Sequence, residues 1–231
     1  MSLQDFVTKE PRALPVFIMA DKSGSMSGEK INELNLALRE MLTTLKNVDD
    51  IRGIFQLAII GFGGNVEIIQ PLADISEINL KELSADGQTP MGEAFNALST
   101  MLEDKNCVSS RAYTPTIVLI SDGQPTDSPQ EDMDFHEFLE WEPLKKLQYG
   151  DRSKKCQRLA MGIGQDADID MLKAFINNPE IPVIKSKDAT GISAFFKWVT
   201  MSTISRMNSI NPNVLALPPP VFDTDSLEII I

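Results

Sequence analysis

The sequence predicts an α/β fold: a doubly wound, mostly parallel six-stranded sheet with one antiparallel edge strand and helices on both faces. Three observations carry this. Short apolar runs such as Phe17-Ile18-Met19-Ala20 recur and stop at polar loops, the mark of strands buried on both faces. Between them lie segments whose apolar residues repeat at helical spacing. Strand and helix alternate throughout, except at one glycine-rich link short enough for a hairpin.

Taken in order, residues 14–21 (LPVFIMAD) form the first strand, a continuous apolar run closed by Asp21. A helix follows over 28–48, with Ile31, Leu34, Leu38, Met41, Leu42 and Leu45 on one face and Ser27 or Gly28 as its N-cap. The second strand is 54–64 (IFQLAIIGFGG), and its glycines turn the chain into a third strand over 65–72, where Pro71 suits the end of an edge strand. Thr89-Pro90 opens the next helix, whose apolar stripe is Met91, Ala94, Phe95, Leu98, Met101 and Leu102. The fourth strand is 115–123, apolar until Asp122. Residues 130–149 read as helical and partly irregular, 156–164 as a strand, 168–177 as a helix and 182–188 as a short strand. A last helix covers 191–208, with Ile192, Phe195, Phe196 and Val199 inward. This layout gives an N-terminal extension over 1–13, one domain over 14–208 and a proline-rich acidic tail over 209–231. The tail, with four prolines and no basic residue, reads equally as a surface strap or as a docking segment whose LEIII could join a sheet edge.

Composition narrows the functional classes. The 231 residues suffice for one domain with a large core, and the net charge of −12 argues against nucleic acid and anionic membrane surfaces as partners. There are two cysteines, Cys107 and Cys156, in no CxxC pair, and a single histidine, His136, so neither a Cys/His zinc site nor a histidine-based nucleophile pair is expected. His136 reads as an exposed loop residue, and Trp141 and Trp198 as packing residues. The first residues lack the basic start and apolar stretch of a signal peptide, and no apolar run reaches membrane-span length, so the expected location is the cytoplasm.

The chemistry concentrates where strands end. Asp21, Ser23 and Ser25 stand at alternate positions leaving the first strand, Thr89 sits just before a helix, and Asp122 ends the fourth strand. Each group alone has a plainer use: Ser25 or Ser27 as a helix cap, Thr89 as an N-cap, Asp122-Gly123 as a turn. Together they offer two carboxylates and three hydroxyls at the carboxyl rim of one sheet, where such folds bind ligands. A hard cation such as magnesium takes oxygen donors of this kind. The glycines of GFGG and GIGQ fit neither a dinucleotide fingerprint nor a phosphate loop.

Asp21-x-Ser23-x-Ser25, with Thr89 in GQTPMGEA and Asp122 in LISDGQPTD, resembles the von Willebrand factor type A (VWA) domain family, and the wording of the three motifs resembles its bacterial TerY-like, tellurium-resistance branch. The resemblance covers about 14–205. It implies a Rossmann-like sheet and a metal-ion-dependent adhesion site holding magnesium or manganese. Ser23, Ser25 and Thr89 would touch the ion or exchange with water, and Asp21 and Asp122 would hold its waters or bind directly. One position would stay open for an Asp or Glu of a partner protein, in a bacterial stress-type setting beside kinases and phosphatases. Lys22 departs from the family pattern, and its charge would oppose a cation unless it turns away. Asp127 is expected to orient the loop after the fourth strand, not to act as a ligand.

Two other functions compete with this protein-binding module. A magnesium-dependent phosphohydrolase with Asp21 as nucleophile lacks the second carboxylate expected two residues on, where Ser23 stands. A purely structural domain would carry the same residues without binding an ion.

Overall fold

The computed structural model describes residues 11–48, 53–214 and 226–231. Most of the expected extension over 1–13, and part of the tail, lie outside these residues. The elements are β1 (Arg12–Asp21), α1 (Glu29–Lys46), β2 (Gly53–Gly63), β3 (Asn65–Asp74), α2 (Met91–Glu103), β4 (Thr116–Ser121), α3 (Phe135–Glu140), α4 (Glu142–Tyr149), β5 (Gln157–Ile163), α5 (Ile169–Ile176), β6 (Val183–Ser186), α6 (Thr190–Asn208) and β7 (Leu227–Ile230). They build one sheet in the order β3-β2-β1-β4-β5-β6-β7. Its five central strands are parallel, and β3 and β7 run antiparallel at the two edges.

Among the described residues the sheet therefore has seven strands, one more than the sequence reading, and a second antiparallel edge. The extra strand comes from the tail: Leu227–Ile230 pairs with β6, from Val183 opposite Ile230 to Ser186 opposite Leu227. His136 lies in α3, exposed, not in a loop. Residues 130–149 hold two short helices broken at Trp141, because Pro143 fits the first turn of a new helix but not the interior of a continuing one. β3 continues past Pro71 to Asp74, and the register shifts between β2 and β3 beside that proline. An edge strand tolerates the missing donor there.

Alternation along β1 explains the two-sided cover. Leu14, Val16, Ile18 and Ala20 face α1 and α6, while Phe17 and Met19 face α2, α3, α4 and α5. Trp141 and Trp198 are buried packing residues, as expected. At the pole opposite the carboxyl ends, the fully buried Arg206 of α6 donates to the Thr116 hydroxyl and to the carbonyls of Thr114 and Pro212. Desolvation lowers its pKa to about 10, so it remains a cation held by neutral acceptors.

Backbone contacts fix the rim. Lys22 N donates to Phe62 O, Asp86 N to Lys22 O, Gly24 N to Gly87 O and Gly64 N to Gln88 O, each at 2.8 Å. Three separate loops are thus joined main chain to main chain. Gly63 makes this approach possible: a Cβ there would stand 2.2 Å from the Lys22 carbonyl oxygen and 2.7 Å from Ser23 N.

Gly63→Ala is expected to cost about 1–3 kcal/mol or more, since backbone cannot give way as a side-chain tip can. Gly123→Ala, with nothing within 4 Å of the added carbon, should stay within about 0.5 kcal/mol of the parent. Denaturant unfolding of both variants checks the pair.

Candidate metal centre

Chain winding reverses between β1 and β4. From β1 the chain crosses to β2 on one side, whereas β4 lies on the other. Ala20 pairs with Ile120, so Asp21 and Asp122 leave adjacent strands one residue out of step. This is the crevice where open α/β sheets take ligands.

Burial and hydrogen bonding tie four of the five expected residues together. Asp21, Ser23 and Asp122 are almost wholly excluded from solvent, while Ser25 is exposed. Asp21 Oδ1 accepts from Ser23 N at 2.8 Å, and its Oδ2 accepts from the Ser121 hydroxyl at 2.6 Å. The hydroxyls of Ser23 and Ser25 lie 3.0 Å apart. Ser25 Oγ then donates to Asp122 Oδ1 at 2.7 Å. A continuous hydrogen-bonded series of residues, with the Ser23 amide as its first link, runs from buried Asp21 to exposed Ser25 and on to Asp122.

Thr89 is buried and held through its backbone. Thr126 N donates to its carbonyl at 3.0 Å, and Thr89 N donates to the Thr126 hydroxyl at 3.1 Å. Among the described residues, the Thr89 hydroxyl makes no hydrogen bond to the other four. Asp127 has a wider role than the sequence reading gave it. Its carboxylate accepts from Gly92 N at 3.0 Å and Glu93 N at 2.9 Å, so it caps α2 from across the loop that follows β4. Lys22 turns away from the carboxylates and donates to Gly63 O at 3.1 Å.

Sequence reasoning missed two residues. Ser121 holds the inner oxygen of Asp21. Lys30 extends from the first turn of α1 to Asp122 Oδ2 and also donates to Ser25 O at 3.3 Å. No local signal marked Lys30: Glu29 beside it already brings an anion to the helix's first turn, and Asp122 lies 92 residues away.

Burial pushes the Asp21 carboxyl above its ordinary pKa of 3.8; hydrogen bonds from Ser121 and Ser23 pull it back, and the Asp122 charge adds to the rise. Among the described residues no three His, Cys, Asp or Glu side chains gather as a metal cluster. The donor set here is two carboxylates and neighbouring hydroxyls, all hard oxygens, and the Lys30 ammonium shows that positive charge is accepted at Asp122. These residues fit a hard divalent cation that completes its shell with water.

Residues 16–124 match the family model described as von Willebrand factor type A domain. A search of curated proteins finds no match. Among solved structures, the von Willebrand factor type A protein of Catenulispora acidiphila is 17% identical, with a TM-score of 0.61 over 84% of this chain and 42% of that one. Proximal thread matrix protein 1 of the mussel byssus, solved with a zinc-occupied MIDAS motif, is 16% identical, with a TM-score of 0.60 over 83% of this chain and 48% of that one. The manganese-loaded TRAP protein of Plasmodium vivax is 19% identical, with a TM-score of 0.56 over 79% of this chain and 71% of that one. The likeness shows the fold: the chain has the Rossmann-like von Willebrand factor type A architecture. It spans less than half the length of the first two structures.

Asp21→Asn should stabilise the metal-free protein. Because the folded-state pKa of Asp21 is raised, its ionisation opposes folding above the unfolded-state pKa, and that cost is absent below it. Asparagine keeps the acceptor for Ser23 N and can donate to Ser121. The expected gain is about 0.5–2 kcal/mol at pH 7 in chelator, shrinking as pH falls toward the usual carboxylate range and absent below it. Thermal unfolding of both proteins across pH measures it.

Proposed function

We propose that this chain is a von Willebrand factor type A domain that holds a divalent cation, magnesium or manganese, at its sheet rim and captures an Asp or Glu of a partner protein without turning over a substrate. The observation that carries this reading is the unbroken hydrogen-bonded series from Asp21 through Ser23 and Ser25 to Asp122. When bound, the ion supplies positive charge and a coordination position open to a partner's carboxylate. Ser23, Ser25 and Thr89 would offer hydroxyls to it, and Asp21 and Asp122 would bind it or hold its waters. The structures with zinc and manganese support a divalent ion in this fold.

The chain's residues set the direction of approach. Asp21 is fully buried and Ser25 exposed, so a partner enters past Ser25 and meets the rim from the α1 side. The loops there are joined backbone to backbone, and a preformed rim spares a partner the ordering cost of binding. The tellurite-type stress setting, kinase or phosphatase partners and a cytoplasmic location extend this reading on the TerY-like wording of the motifs alone. No helix among the described residues is long and apolar enough to cross a membrane.

Geometry disfavours the phosphohydrolase alternative. Asp21 lies on the floor of the crevice with no solvent access, and Ser23 stands where such an enzyme carries its second carboxylate. A nucleophile needs an oxygen aimed at its substrate.

Magnesium or manganese is expected to raise the melting temperature by mass action, with about 2.7 kcal/mol of stabilisation at a hundredfold excess over Kd. Ser23→Ala and Asp122→Ala should abolish the rise. No shift in the parent protein, nor in a variant that removes the Lys30 charge from Asp122, would overturn the metal reading. Magnesium-dependent hydrolysis of p-nitrophenyl phosphate that is lost in Asp21→Ala would overturn the non-enzymatic one.

A further inference from the structure

We propose that Lys30 is a tethered counter-cation that competes with the divalent ion for Asp122 and thereby lowers the metal affinity of the rim. The inference rests on the metal-binding reading above and concerns how tightly that site loads.

Four observations meet at this side chain. The Asp122 side chain has no solvent exposure, so its charge needs a partner in the fold. Its Oδ1 accepts the Ser25 hydroxyl, and Lys30 Nζ stands on Oδ2, so a cation already neutralises the carboxylate. The same ammonium donates to the Ser25 carbonyl, so it bridges Ser25 and Asp122. Lys30 is itself 29% exposed, on a flexible stem that can swing into water.

Charge accounting gives the direction. Asp21 and Asp122 together carry two negative charges, which one divalent ion neutralises. With the ammonium still on Asp122, the ion would meet a like charge sharing its carboxylate, and the crevice would be overcompensated. Metal entry therefore requires Lys30 to leave Oδ2, and the work of parting that ion pair is subtracted from binding. Lys22 cannot act this way, because its ammonium is buried against Gly63 O.

The test is calorimetric titration of manganese into the full chain carrying Lys30→Met, Lys30→Gln or Lys30→Arg, with Asp122→Asn as the control for the site. Lys30→Met and Lys30→Gln are expected to bind about tenfold or more tightly than the parent, and to melt lower in chelator because Asp122 loses its cation. Lys30→Arg, which keeps the charge, should stay near parental affinity even if the neutral variants fold poorly. Tighter binding by Lys30→Met where the parent shows none would also support the proposal. Equal or weaker binding by the neutral variants, or tight binding by Lys30→Arg, would overturn it while leaving the metal site standing. If neither the parent nor any Lys30 variant binds manganese in a way that Asp122→Asn removes, the metal reading falls and takes this proposal with it.

Discussion

Two carboxylates, Asp21 and Asp122, are placed nearly side by side out of water because β1 and β4 are parallel neighbours whose winding diverges. Like charges in such a place are tolerable only if each oxygen has a donor and the pair has a counter-charge. The surrounding residues answer that constraint. Ser121 and the Ser23 amide serve the inner carboxylate, while the Ser25 hydroxyl and the Lys30 ammonium serve the outer one.

Main-chain hydrogen bonds join three of the loops around the crevice, those after β1, between β2 and β3, and before α2. Gly63 and Gly87 allow that contact by having no Cβ, and Gly87 also adopts φ +68°. Asp127 and Thr126 add a fourth segment by capping α2 and bracketing Thr89. The sheet thus presents its oxygens on a platform assembled from four places in the chain.

What the sequence made legible follows from locality. Strands buried on both faces read as unbroken apolar runs, which is why β1, β2, β4 and β5 were visible. Asp21, Ser23 and Ser25 share one loop, so their spacing was visible too. The contacts of Ser121 with Asp21 and of Lys30 with Asp122 span 100 and 92 residues, and no local pattern encodes them. Helix α6 followed its apolar stripe only in part. Thr200, Ser202 and Thr203 are buried there because each hydroxyl returns to a carbonyl one turn back, which periodicity does not register. The strand in the tail stayed ambiguous because LEII is only half-buried along a single edge.

That last strand has a consequence for how the protein is made. β7 follows α6 in the chain but completes the sheet beside β6, where Leu227 packs closely over Gly191. While a ribosome is still elongating, β6 offers a bare row of amides and carbonyls to any neighbouring nascent chain. Leu227 to Ile230 then act as an internal sealant, and the window for misassembly closes only when that short segment emerges from the exit tunnel and docks.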